Sequence, residues 1–131
     1  MEKQSALANK FYNELKNGNR ITYIYQSAGE YLGEISLVFD MNDKDYTIEN
    51  KRIYVSRLIV KPCERRKGIG SILVAYAVER AKEMSYSEMS VGVDLDNYPA
   101  LNLYVGAGFN QIVFIGEDKQ GKYLKLLNNN L

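Results

Sequence analysis

Apolar positions recur along this chain in two rhythms. In "RITYIYQ" Ile21, Tyr23 and Tyr25 alternate with Thr22 and Ile24, the period of a strand. "SAGE" follows as a turn, and "EYLGEISLVFD" reads as the returning strand of a hairpin. "MNDKDYTIENK" is polar and loop-like. Arg52 to Pro62, "RIYVSRLIVKP", is almost continuously apolar or β-branched, the pattern of a strand covered on both faces. From Gly68 to Ser85 the rhythm changes: Ile69, Leu73, Tyr76, Ala77, Ala81 and Met84 form a helical stripe. Met89, Val91 and Val93 alternate in a short strand, and a shorter helix is predicted from about Tyr98 to Gly106. "FNQIVFIG" and "KYLKLLN" flank "EDKQG" as a last hairpin. At the other end Leu7, Ala8, Phe11, Tyr12 and Leu15 lie close to helical spacing, so a helix is predicted over residues 5 to about 17, stopped by Gly18.

The predicted order is α-β-β-β-α-β-α-β-β. The strand, helix, strand passage over 52–93 implies one parallel crossover, and the hairpins imply antiparallel pairing elsewhere. The expectation is an α/β (α+β) domain spanning residues 1–131, with a mixed, mostly antiparallel sheet and helices on both faces.

Composition mainly excludes. The net charge of +1 gives no bulk field to draw nucleic acid or an anionic membrane. The basic residues are not gathered with the aromatic ones, so no nucleic-acid partner is expected. There is no histidine, which removes Ser-His-Asp and Cys-His nucleophilic machinery and histidine-based zinc sites. One cysteine, Cys63, makes no internal disulfide and no cysteine-rich metal centre, so no metal is expected. With neither a leader-type apolar stretch nor a membrane-length one, the expected location is cytoplasmic.

The local chemistry lies in "CERRKGIGS", between the strand ending near Pro62 and the best helix. The first N–H groups of a helix lack internal partners and attract an anion, and glycine lets the backbone close on it. Arg65, Arg66 and Lys67 add charge beside Gly68, Ile69, Gly70 and Ser71. The pattern is neither a P-loop nor a full dinucleotide fingerprint, since Leu73 stands where a third glycine would be. A solvated basic turn remains the plain alternative.

A second segment, "NYPALNLYVGAGF", places Asn97, Ala100, Leu103, Tyr104, Gly108 and Phe109 in the pattern N-x-x-A-x-x-L-Y-x-x-x-G-F. With Arg65, Gly68 and Gly70 matching [QR]-x-x-G-x-[GA], the chain strongly resembles the GNAT superfamily of acyl-CoA-dependent N-acyltransferases over about residues 20–127. The resemblance implies a GNAT-like fold and acetyl-CoA as co-substrate. It implies that the backbone of Leu58, Ile59 and Val60 meets the pantetheine arm, and that the turn from Arg65 to Ser71 takes the pyrophosphate. It implies that Asn97 contacts the cofactor and that Tyr104 sits near the thioester sulfur. A phenol of pKa about 10 can protonate a departing thiolate of pKa about 8.5, so such a transfer needs no histidine. Tyr104 also reads as a core tyrosine, and Asn97 as a helix N-cap with Pro99 just inside the first turn.

The base is less defined. Some relatives place a glutamate where this chain has Gly92. Glu34, a carboxylate at an otherwise apolar strand position, is the first candidate and otherwise an edge charge facing water. Asp94 is the second. The N-terminal segment is shorter than the family's usual strand and two helices, so either the domain is a shortened version or a partner subunit, such as a second copy, completes the acceptor side. Asp40, Asp43, Asp45 and Glu49 either favour a cationic amine or form a solvated loop. The expected activity is N-acetylation of a primary amine in a ternary complex, the acceptor being a small molecule or a protein or peptide amine. A non-catalytic acyl-CoA-binding module is the alternative, with thioesterase action a third option.

Overall fold

The computed structural model describes the backbone of residues 9–16, and residues 18–65 and 68–131 in full. The strands are β1 (Asn9–Lys16), β2 (Arg20–Ser27), β3 (Glu30–Val38), β4 (Arg52–Val60), β5 (Glu88–Asp94), β6 (Gln111–Asp118) and β7 (Gly121–Asn128). Helix α1 (Ile69–Glu83) joins β4 to β5, and α2 (Tyr98–Gly106) follows β5. All seven strands share one sheet in the order β1-β2-β3-β4-β5-β7-β6. Only β4 and β5 pair in parallel, across the α1 connection, and every other pair is antiparallel. The mixed sheet therefore follows the expectation.

The N-terminal segment does not. Residues 9–16 form a strand against β2, with Phe11 opposite Tyr25, Asn13 opposite Tyr23 and Leu15 opposite Ile21. The expected helix is thus corrected over this range, while its first residues, 5–8, lie outside the described ones. Phe11, Asn13 and Leu15 also fit a period of two, and Asn17-Gly18 is a strong hairpin signal. Gly18 takes φ 68°, a left-handed conformation that glycine adopts without cost. The turn between β2 and β3 works similarly, with Ala28 and Gly29 both at positive φ (51° and 83°).

The two helices pack on the sheet around one core. The core joins Ile35, Leu37, Val55, Val91 and Leu126 of the sheet to Leu73, Val74 and Ala77 of α1 and Tyr104 of α2. These strand residues share one face, because Val55 is in register with both Leu37 and Val91. Residues of α1 and α2 line a common surface groove, so the two helices are neighbours on that face. Among the described residues the opposite face carries no helix.

The loop over 39–51 lies there instead. Lys125 of β7, nearly buried, donates to Asp43 Oδ2 at 2.9 Å and Asp45 Oδ2 at 3.1 Å. Its Nζ also lies 4.8 Å from the Tyr46 ring centre, and Ser90 Oγ donates to the Tyr46 carbonyl at 2.5 Å. Burial alone would lower the Lys125 pKa, but the two carboxylate hydrogen bonds outweigh it and raise it. Its hydrogen bond holds Asp43 below the usual carboxylate value, helped by the Asp45 N–H.

Candidate active site

β4 is not the evenly covered strand its composition suggests. Ile53 and Val55 are buried, but Arg57 is exposed. Against β3 the register passes from Leu37↔Val55 to Ser36↔Arg57, leaving Ser56 as an extra residue on β4. Such a bulge bends its strand and increases local twist. The parallel pairing with β5 covers four register positions, Arg52↔Glu88 to Val55↔Val91, and stops where the bulge begins. Beyond it β4 runs on to Val60 and β5 to Asp94 without pairing to each other, and the sheet forks.

Two cavities occupy the fork. The wider, about 730 Å³, is lined by Leu58, Ile59 and Val60 of β4, by Arg65 and Gly68, by Ile69, Gly70 and Ser71 of α1, and by Asn97, Pro99, Ala100 and Leu103. The narrower, about 240 Å³, is lined by Tyr54 to Leu58, Val91 to Asp94, Asn97, Ala100 and Tyr104. They share Leu58, Asn97 and Ala100 as walls.

The wider cavity contains the start of α1. Gly68 stands at the N-cap with φ 80° and no side chain caps the helix. The first helical bond runs from the Ile72 N–H to the Gly68 carbonyl, so the N–H groups of Ile69, Gly70 and Ser71 have no intrahelical acceptor. The helix dipole adds positive potential there. A Cβ on Gly70 would lie 3.2 Å from Leu103 Cδ2, close enough that a larger side chain must displace something or fill the cavity. These features suit a ligand that carries phosphate oxygens on an extended arm. Arg66 and Lys67, expected beside it, lie outside the described residues.

Asn97 meets its other expectation as well as lining both cavities. Its Oδ1 accepts from the Ala100 N–H at 3.3 Å, capping α2. Tyr104 is buried, with its ring edge-on to Phe109 at 5.4 Å, and lines the narrow cavity. Burial, with a contribution from Tyr54, raises its pKa well above that of an ordinary tyrosine, so the phenol stays protonated into the alkaline range.

Glu34 is half-buried on β3 in register with Ile59, and its Oε1 accepts from the Tyr31 hydroxyl at 2.8 Å. It lines neither of these two cavities, whereas Asp94 lines the narrow one. Burial, then the Glu34 hydrogen bond, push the Tyr31 phenol up to about 12. Cys63 is exposed in a short 3₁₀ turn and also lines neither cavity. Sequence reasoning passed over Tyr54, Ser56 and Arg57. The polar pair Ser56-Arg57 inside an apolar run was the available sign of a bulge facing a cleft.

A mixed sheet that forks beside an uncapped, glycine-started helix is the architecture of acyl-CoA-dependent acyltransferases. The chain belongs to the acetyltransferase (GNAT) family, whose model matches residues 2–109. It is 28% identical over 134 aligned positions to an uncharacterized N-acetyltransferase of Lactobacillus delbrueckii subsp. lactis, covering 94% of this chain and 76% of that one. It is 30% identical over 95 positions to N-alpha-acetyltransferase 30 of Xenopus laevis, covering 72% of this chain but only 33% of the relative. A Bacillus subtilis acetyltransferase solved in complex with CoA superposes with a TM-score of 0.74 at 20% identity, over 88% of this chain and 80% of that one. An aminoglycoside 6'-acetyltransferase of type Ii superposes at 0.72 and 19% identity, over 88% and 72%. At these identities the superpositions establish the fold. No helix among the described residues is long and apolar enough to cross a membrane.

Proposed function

We propose that this chain transfers the acetyl group of acetyl-CoA to a primary amine by direct attack in a ternary complex. The observation that carries the reading is the meeting of the two cavities. The wide one opens on the free N–H groups of α1, and the narrow one is walled by Tyr104.

The residues present fit the co-substrate. In this reading the N–H groups of Ile69, Gly70 and Ser71, with Arg65 beside them, hold the pyrophosphate, and the unpaired edge of Leu58 to Val60 offers backbone groups to the pantetheine amides. When bound, acetyl-CoA supplies an activated acyl group as a thioester. Tyr104, protonated at neutral pH as any phenol is, donates a hydrogen bond or proton toward the departing sulfur. A backbone N–H on the unpaired β4 edge can stabilise developing negative charge on oxygen in this partly enclosed site. Asp94 takes the base role in preference to Glu34, because it lines the cavity where the amine must deprotonate.

The test is a calorimetric titration with acetyl-CoA of the unmodified protein and of Gly70→Glu, with circular dichroism as a folding check. Filling the cavity and setting a carboxylate beside the pyrophosphate site should weaken binding about 100-fold or more. Thiol release with a panel of amines then separates turnover from mere binding. Failure of the folded, unmodified protein to bind acetyl-CoA overturns the reading. Binding without turnover on any amine leaves a non-catalytic acyl-CoA-binding module.

A further inference from the structure

From the charges on the two walls of the narrow cavity, we infer that the acceptor is a free amino acid, bearing a carboxylate close to its amine. This rests on the acetyltransfer reading above. Arg57 of β4 forms part of one wall and Asp94 of β5 part of the other. Behind the Arg57 wall stands a second guanidinium. Arg20, half-buried, donates from Nη1 to Ser56 Oγ at 2.6 Å, and Ser56 also lines the cavity. Neither arginine pairs with a carboxylate among the described residues.

Two of the four acidic loop residues that could have drawn a polycationic amine are committed elsewhere. Asp43 and Asp45 are neutralised by Lys125, and Asp40 Oδ1 accepts from the Asn42 N–H in its own loop. Glu34, on the strand beside Arg57, is engaged by the Tyr31 hydroxyl. At the closed end of the fork Arg52 and Glu88 satisfy each other at 2.9 Å.

Among the described residues that line the cavity, the charged ones are therefore a cation, Arg57, on one wall and a carboxylate, Asp94, on the other. That pair complements a zwitterion: ammonium toward Asp94, carboxylate toward Arg57, where a guanidinium can bind both oxygens. A cavity of about 240 Å³ falls below the range of roughly 300–1,000 Å³ typical for whole small-molecule ligands, so it admits the amine and its nearest neighbours rather than a long polyamine.

The experiment measures thiol release from acetyl-CoA with glycine, leucine, phenylalanine and glutamate, each beside its α-amide and its decarboxylated amine. At least one amino acid should exceed its amide and amine in kcat/KM by about tenfold or more, the worth of one charge-assisted hydrogen bond. Arg57→Gln should raise the KM for that amino acid by about tenfold or more and leave the KM for acetyl-CoA unchanged, with Arg57→Lys recovering part of the loss. Amides or simple amines turned over as well as the amino acids overturn this inference and leave the acetyltransfer reading standing. An Arg57→Gln enzyme that keeps its preference does the same. No turnover on any amine by protein that binds acetyl-CoA overturns both.

Discussion

The two helices that border the fork begin in opposite ways. α2 is sealed: Asn97 caps the Ala100 N–H, and Pro99 in the first turn has no N–H to satisfy. α1 is open: Gly68 at its N-cap has no side chain to offer, and no other side chain caps it. Both ends adjoin the same wide cavity. With glycine at the N-cap, α1 forgoes only about a few tenths of a kcal/mol relative to an Asn or Ser there. In the proposed reading the difference leaves the α1 start for an external acceptor of hydrogen bonds and makes α2 the wall that carries Tyr104.

Gly70→Glu, whose loss of acetyl-CoA binding is the largest effect expected, breaks this contrast from the open side. From the closed side, Tyr104→Phe should leave acetyl-CoA affinity within about threefold while lowering kcat about 100-fold, the lower range of general acid catalysis. Calorimetry and steady-state rates on the same preparation check both halves of that statement. An equal fall in affinity would show that the hydroxyl serves binding rather than proton transfer. Asn97→Ala should cost about 1 kcal/mol and lower Tm by a few degrees. Thermal unfolding with and without acetyl-CoA reads that cost, and an affinity loss beyond about tenfold would show that Asn97 contacts the ligand as well as capping α2.

The smallest effect concerns alkaline pH. Burial raises the phenol pKa of Tyr104, and raises that of Tyr46 to about 12, with Tyr54 adding to each. Below pH about 10 these groups are protonated in both folded and unfolded chains, and their contribution is complete. Above it the unfolded chain sheds protons first, so stability falls as pH rises toward the folded values. Phenolate absorbance followed with circular dichroism should show Tyr46 and Tyr104 titrating only well above pH 10 or with unfolding. Complete titration near pH 10 with the fold intact would contradict the burial.

Much of this was legible in the residues. α2 was bounded correctly because Asn97, Pro99 and the glycines at 106 and 108 punctuate it within one short segment. The last hairpin was legible for the same reason, and Asp118↔Gly121 closes it. What could not be read depends on partners distant in sequence. The commitment of Asp43 and Asp45 rests on Lys125, and nothing in the loop itself announces that lysine. The bulge at Ser56 follows from the register with β3, which a strand's own pattern does not specify. The N-terminal strand was misread because Phe11, Tyr12 and Leu15 satisfy helical spacing while Phe11 and Leu15 also satisfy alternation. Gly18 fits a helix stop as well as it fits the hairpin turn it forms.

The short seam between β4 and β5 has a mechanical consequence. β2 to β4 carry α1 on their surface, β5 to β7 lie on the other side of the seam, and α2 packs against β5. Within the sheet the two parts are stitched by only four register positions. A molecule laid along the fork would act as a splint, replacing the missing rungs with its own contacts to both parts. Occupancy and rigidity are then linked, each tenfold excess of ligand over its Kd adding about 1.4 kcal/mol against unfolding. If acetyl-CoA binds as proposed, the rungs missing beyond Val55↔Val91 are the ones its contacts would replace.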